Sequence, residues 1–265
     1  MFVDIHSHII PGIDDGAQDQ EMALNMLKIA AENGTEHIVA TPHYIPGSTQ
    51  NSPTNIVDKC NEFQQQSHRE GISLKIYSGC EIFISPDINT LFENGKINTL
   101  NNTAYMLIEF PMMSIPPYTD SVLYELQLKG IIPVIAHPER NSEIMKDPDI
   151  LRKMLERGMF AQGNSGSITG IYGKKAQNTI MKLIKEGMVH FIASDAHTNK
   201  GRSPNLSKAA AIVEQKYGYE TMKNLFETNG MNLLLNKEIS RISPKINKKI
   251  CTFIKVITSK ITTKN

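Results

Sequence analysis

Three cysteines in 265 residues, Cys60, Cys80 and Cys251, are too few and too irregularly spaced for a disulfide framework or a zinc knuckle. That scarcity makes a reducing, cytosolic compartment the expectation. No run of 18 uncharged apolar residues occurs, so no transmembrane helix is expected. The N-terminus has no basic leader and reaches Asp4 and His6 at once, unlike a secretory signal. A net charge of +1 gives no argument for nucleic-acid binding. The charge is uneven. Seven Lys and Arg and no Asp or Glu lie from Arg241 onward, which leaves −6 on residues 1–240. An acidic body of that kind argues against a nuclease groove. The Gly-rich phosphate loop of a doubly wound sheet is also missing: the first apolar run ends in His-Ser-His instead.

What is present is a repeating unit: a short apolar run, a polar tip, then a helix-like stretch. The apolar runs cover residues 2–5, 37–40, 74–77, 106–108, 133–136, 159–161 and 190–193. They are short and aliphatic or β-branched, as buried parallel strands are. Amphipathic windows at 20–33, 55–70, 119–129, 149–157 and 174–186 lie between them. Each closes at a glycine: Gly34, Gly71, Gly130, Gly158 or Gly187. Seven strands alternating with helices predict an α/β chain with a parallel sheet and right-handed crossovers. A barrel one strand short of eight fits the length, since such barrels take about 250 residues. The open doubly wound sheet is the alternative. The repeat stops near residue 239. Residues 1–240 are therefore expected to form one domain, with 241–265 as a basic tail.

The polar tips carry the chemistry. The first run ends in His6-Ser7-His8, and strand alternation puts both imidazoles on one face, about 7 Å apart along the backbone. Asp14-Asp15 follow. The later tips are His43, Glu81, Glu109, His137-Pro-Glu-Arg140 and Asp195-Ala-His197. Six of the seven predicted strands thus finish in His, Asp or Glu at the same end, the rim where barrels place their active sites. Imidazole and carboxylate without thiolate suit manganese, iron or zinc, and calcium poorly. About nine candidates exceed the three or four ligands of one ion. Two or three ions sharing carboxylates are expected, an arrangement typical of phosphoester hydrolysis. Arg140 and Arg202 lie beside the cluster in sequence, and a guanidinium fork matches phosphate oxygens.

Other polar residues invite a plainer reading. His37 and His190 start predicted strands, at the wrong end for the rim, and His68 sits in a polar helix window. All three are assigned to structure or solvent. Glu139 either orients a ligand His or Arg140, or is exposed. Cys80 points away from Glu81 on a strand and belongs to the core.

Together, the run MFVDIHSHIIPGIDDGAQD at 1–19, TPH at 41–43, GCEI at 79–82, LIEF at 107–110, IAHPER at 135–140 and IASDAH at 192–197 closely resemble one branch of the PHP (polymerase and histidinol phosphatase) superfamily. That branch is the manganese-dependent protein-tyrosine phosphatases of bacterial capsular and exopolysaccharide gene clusters. The resemblance spans roughly residues 1–240. It implies a distorted (β/α)7 TIM-like barrel, the PHP fold, with a trinuclear Mn2+ centre. By position, His6, His8, Glu81 and Asp195 are implied as ligands of one ion. Glu81, Glu109 and His137 are implied for a second, with Glu81 bridging, and Asp15, His43 and His197 for the third. The resemblance favours Asp15 over Asp14, a choice the residues alone leave open. Arg140 and Arg202 are implied as phosphate-binding.

The expected reaction is in-line attack on phosphorus by a hydroxide bridging two ions. The arginines stabilise the spreading charge. Tyrosine, with a pKa near 10, needs a metal or an acid to help it leave. A cysteine phosphatase needs Arg six residues after its Cys, and those positions hold Gln66, Pro86 and Ile257. The implied substrate is a phosphotyrosine protein, a membrane-associated bacterial tyrosine kinase. The alternatives are another PHP phosphoesterase, such as a histidinol phosphatase, or a non-catalytic regulator of the kinase. In the tail, Ile246, Ile250, Phe253, Ile254, Ile257 and Ile261 fall on one helical face among lysines. Residues 245–261 are read as a basic amphipathic helix that contacts the inner face of the membrane or the kinase; the alternatives are a helix packed on the barrel by its Ile face, or a disordered basic tail.

Overall fold

Residues 1–239 are described by the computed structural model. Strand β1 (Phe2–Ser7) pairs in parallel with β2 (Thr35–Ala40), which pairs with β4 (Lys75–Ser78). A second parallel sheet runs in the order β3 (His43–Tyr44), β5 (Glu81–Phe83), β6 (Tyr105–Glu109), β7 (Ile132–Ala136), β8 (Phe160–Asn164), β9 (Phe191–Ala193). The two sheets share strands. Only Thr41-Pro42 separates β2 from β3, and only Gly79-Cys80 separates β4 from β5. Proline has no N–H for the ladder, so a break there is natural. Gly79 is needed at the second bend, because a Cβ would come 2.8 Å from Leu100 Cδ2 and 2.9 Å from Val39 Cγ1. The seven expected strands are thus present, two of them bent.

The ring returns to β1 through the segment after β9. The ladder there is reduced to a bridge between Ser7 and Ala196. It is held by His8 N–H donating to Ala196 O and Asp195 N–H donating to His6 O, each at 2.9 Å. The architecture is the expected α/β one, a distorted barrel rather than an open doubly wound sheet.

Alternation divides the strand residues. Val3, Ile5, Val39, Leu107, Val134, Phe160 and Phe191 pack together inside the ring, and Leu233 and Leu234 join them. Met106, Ile108, Ile135, Ala161 and Ile192 face outward into the layer that holds Leu123, Leu126, Leu183 and Ile184 of the surrounding helices. Burying a side chain such as Phe191 contributes about 1.5–3 kcal/mol. The expected helices form at Gln20–Glu32, Pro53–Arg69, Thr119–Leu128, Asp149–Glu156 and Gly173–Lys185. Asp19 caps the first by accepting from Met22 N–H at 2.8 Å. Further helices at Ile88–Glu93, Ser142–Lys146, Ser165–Thr169, Ser207–Tyr217 and Tyr219–Lys223 lie outside the expected windows. No helix among the described residues is long and apolar enough to cross a membrane. The tail helix expected at 245–261 lies outside the described residues.

Candidate metal centre

The strand ends converge on Glu81. Its Oε2 lies 3.2 Å from His6 Nε2, 3.3 Å from His8 Nε2 and 3.1 Å from His43 Nδ1. Its Oε1 lies 3.0 Å from His137 Nε2. Register explains part of this, since β3 and β5 pair His43 directly with Glu81. On β1 the register shifts between Asp4 and Ser7, and the two Nε2 atoms of His6 and His8 meet at 3.2 Å. Glu109, at the end of β6, reaches 3.6 Å from His137 Nε2 and 3.9 Å from His43 Nδ1. Asp195 Oδ1 is 3.6 Å from both His6 and His8 Nε2. Asp15 Oδ1 sits 3.4 Å from His43 Nε2 and 3.4 Å from His197 Nε2.

The structure therefore brings together five imidazoles and four carboxylates from six strand ends: His6, His8, Asp15, His43, Glu81, Glu109, His137, Asp195 and His197. Three groupings close enough for one ion emerge: His8, Asp15, His43 and His197; His6, His8 and Glu81; His43, Glu81 and Glu109. These overlap the sets implied by the family resemblance, but His8 and His43 each stand between two groups, and Asp195 and His137 fall in none of the three.

The polar atoms at the centre point to what is held there. Glu81 Oε2 and His43 Nδ1 are both buried, yet neither forms a hydrogen bond of acceptable angle among the described residues. Several lone pairs thus face one small volume with too few protons between them. Divalent cations satisfy such a set, and imidazole with carboxylate fits manganese, iron or zinc. Two residues here also hold a strained backbone. His137 (φ 31°) and Asp195 (φ 51°) are in the left-handed region, which costs a non-glycine residue about 1–3 kcal/mol and is common at active sites.

Burial alone would raise the Glu81 pKa, but the imidazoles of His6 and His137 beside it pull it well below the usual carboxylate range. Burial and the Glu81 charge push Glu109 the other way, to about 7. Burial also lowers His43 and His197, which favours the neutral, ligating imidazole.

Asp14 and Asp15 divide their work. Asp14 Oδ2 takes the His8 Nδ1–H at 2.7 Å and the His43 N–H at 3.0 Å, so it orients two candidate ligands from behind. Asp15 turns into the cluster with a largely exposed side chain.

The two arginines meet on one carboxylate. Arg140 Nη1 donates to Asp195 Oδ2 and Arg202 Nη2 to Asp195 Oδ1, each at 2.9 Å. Both guanidiniums lie over the Tyr172 ring, at 4.3 and 5.8 Å from its centroid. A cavity of about 410 Å³ opens beside them, lined by Tyr172, Arg202, Lys200 and Lys208 with no Asp or Glu.

Other assignments are resolved as follows. His37 bonds Tyr77 Oη at 2.9 Å, and His68 contacts Gln64 at 3.0 Å. They line a cleft at the opposite end of the strands. His190 is buried beside Phe160. Cys80 is core, as expected. Glu139 is neither exposed nor paired with a ligand His or Arg140. It is buried and accepts from Ser167 Oγ at 2.6 Å and Asn164 N–H at 2.9 Å.

A parallel α/β ring with an imidazole–carboxylate cluster and two arginines on its rim defines a barrel of the metal-dependent hydrolase kind. The chain belongs to the capsular polysaccharide synthesis family CpsB/CapC, which matches residues 2–235. It is 38% identical over 243 residues to the tyrosine-protein phosphatase YwqE of Bacillus subtilis (strain 168), covering 92% of this chain and 95% of that protein. It is 29% identical over 242 residues to the tyrosine-protein phosphatase CpsB of Streptococcus agalactiae serotype III, covering 89% and 100%. A crystal structure from work on YwqE of Bacillus subtilis and CpsB of Streptococcus pneumoniae, described as metal-dependent tyrosine phosphatases, matches with a TM-score of 0.88. Its identity is 38%, and it covers 93% of this chain and 100% of that one.

Proposed function

We propose that this chain is a metal-dependent protein-tyrosine phosphatase that hydrolyses phosphotyrosine in a protein substrate, a membrane-associated bacterial tyrosine kinase of capsule or exopolysaccharide synthesis. The observation that carries the reading is Glu81, one buried carboxylate within 3.3 Å of four imidazole nitrogens, with two arginines one residue away on Asp195. The metal ligands are His6, His8, Asp15, His43, Glu81, Glu109, His137, Asp195 and His197, and the cations are three Mn2+. Divalent ions held there supply an acidified water and neutralise phosphoryl charge. The arginines supply the rest. Their forks, stacked on Tyr172, present paired N–H donors to the equatorial oxygens of a phosphoryl group. The cation-lined cavity beyond Arg202 receives the segment that carries the tyrosine. Its lysines suit an acidic peptide.

Metal-stripped protein tested on a phosphotyrosine peptide, with manganese, zinc and iron added back in turn, addresses this directly. Turnover should return with metal, highest with manganese, and exceed that on histidinol phosphate. Turnover without metal, or a preference for histidinol phosphate, refutes the assignment. Three bound manganese ions with no turnover on any phosphoester make the chain a regulator instead.

The barrel of residues 1–240 is the catalytic unit, and the basic tail after it keeps the enzyme at the inner face of the membrane. Co-sedimentation with anionic liposomes should retain the full chain and lose a chain ending at Arg241. Equal absence of binding ends that part of the proposal.

A further inference from the structure

Strand β8 is the one unit of the ring whose tip carries no imidazole or carboxylate, yet it ends at the centre. Its Gln162 and Asn164 are fully buried. His6 Nδ1 lies 2.8 Å from Gln162 Oε1, Gln162 Nε2 lies 2.8 Å from Asn164 Oδ1, and Asn164 Nδ2 lies 2.7 Å from Asp195 Oδ2. The chain has a fixed direction. A carboxylate only accepts, so Asn164 must turn its NH2 to Asp195. Its oxygen then accepts from the Gln162 NH2, and the Gln162 oxygen is left for His6, which donates from Nδ1–H. The His6 proton is thereby held on the side away from the cluster. Its Nε2 lone pair faces His8 Nε2, Glu81 Oε2 and Asp195 Oδ1. At the other end Asn164 and Arg140 hold Asp195 Oδ2, which leaves Oδ1 toward the two histidines and Arg202. Asn164 is itself fixed from behind, since its N–H donates to Glu139 Oε1.

We propose that Gln162 and Asn164 are positioning residues for the metal centre: an amide chain on β8 that fixes the tautomer of His6 and the rotamer of Asp195, so both present a ligand atom to one divalent cation. The proposal rests on the reading of His6 and Asp195 as ligands. Buried amides facing each other are costly unless every donor and acceptor is used. Here the amide atoms of both residues are paired, and the end groups have one arrangement that satisfies the chain.

Mn2+ titration of the metal-stripped full-length protein, followed by the EPR signal of the free ion, tests this without turnover. Gln162→Leu removes both bonds and should weaken Mn2+ binding about 10–100-fold, the usual range when a partner behind a ligand is lost. Gln162→Glu keeps an oxygen on His6 but removes the N–H that Asn164 Oδ1 accepts, so its affinity should fall between wild type and Gln162→Leu. The melting temperature of the metal-free protein separates positioning from mere packing: a packing role lowers it and leaves Mn2+ affinity unchanged. A folded Gln162→Leu protein with wild-type Mn2+ affinity overturns the proposal. If that variant does not fold, Gln162→Met, which fills the same volume, carries the same expectation and the same refutation. Wild-type protein that binds no Mn2+ refutes the reading of the centre itself, a different outcome from an unchanged variant.

Discussion

Replacing Arg140 and Arg202 singly and together probes the phosphate end of the site. Each guanidinium makes one charged bond of 2.9 Å to a different oxygen of Asp195, and both lie over Tyr172. Removing one preorganised donor aimed at developing charge lowers kcat by about 10²–10³-fold, or about 2.7–4 kcal/mol. Arg140→Ala is expected to show that loss in kcat/KM on a small aryl phosphate. Stability should change little. The lost stacking is worth about 1 kcal/mol, and Asp195 Oδ2 keeps its bond from Asn164. In a chain of this size that shifts the melting temperature by about 2–4 °C. Arg140→Lys keeps the charge but not the fork or the stack, so it should stay well below wild type. The arginines share one carboxylate and one ring, so their losses should not multiply: a coupling of about 0.5–3 kcal/mol is expected in the double-variant cycle. The assay is steady-state kinetics at saturating Mn2+, with Mn2+ binding measured on each variant. Folded, metal-competent Arg140→Ala protein with kcat/KM near wild type refutes the phosphate-binding role. Fully multiplicative losses refute the shared anchor alone.

Metal removal should be visible as lost stability. A cation at 100 times its Kd stabilises by about 2.7 kcal/mol, so each saturated site should raise the melting temperature by about 5–11 °C over the chelated protein. A melt insensitive to EDTA contradicts a built centre. Gly16→Ala should impair metal binding, because a Cβ there collides with the carbonyl and Cβ of His8 and pushes the Asp14–Asp15 loop off it. An unchanged Mn2+ isotherm refutes that reasoning. The thiols of Cys60 and Cys80 should be inert. Burial pushes Cys60 up to about 12 and Cys80 well above its usual range, so neither thiol should be labelled by a thiol reagent at neutral pH in the native protein. Activity lost on alkylation of native protein would point to a cysteine route.

The strands and the rim were legible because a short, continuously buried apolar run and its polar tip are both local. A run such as 133–136 shows its strand character and its His137 tip within six residues. The bends at Thr41-Pro42 and Gly79-Cys80 were not. They let β3 and β5 pair His43 with Glu81, and the need for Gly79 comes from Leu100 and Val39, distant in sequence. Asp14 and Asp15 could not be separated by eye, since only the fold shows which carboxylate backs His8 and which faces His43 and His197.

The contribution of β8 was hidden for a related reason. Reading the strand as ending at Ala161 left Gln162 and Asn164 in a presumed loop, where polar residues raise no question. In the structure β8 continues to Asn164, and alternation turns both amides to the same side as Phe160. A buried amide has meaning only through its partners, and these lie on β1 and after β9, 156 and 31 residues away. Residues that bind a cation announce themselves by type. Residues that hold such ligands in place are ordinary amides and carboxylates, and only closure of the ring shows what they face.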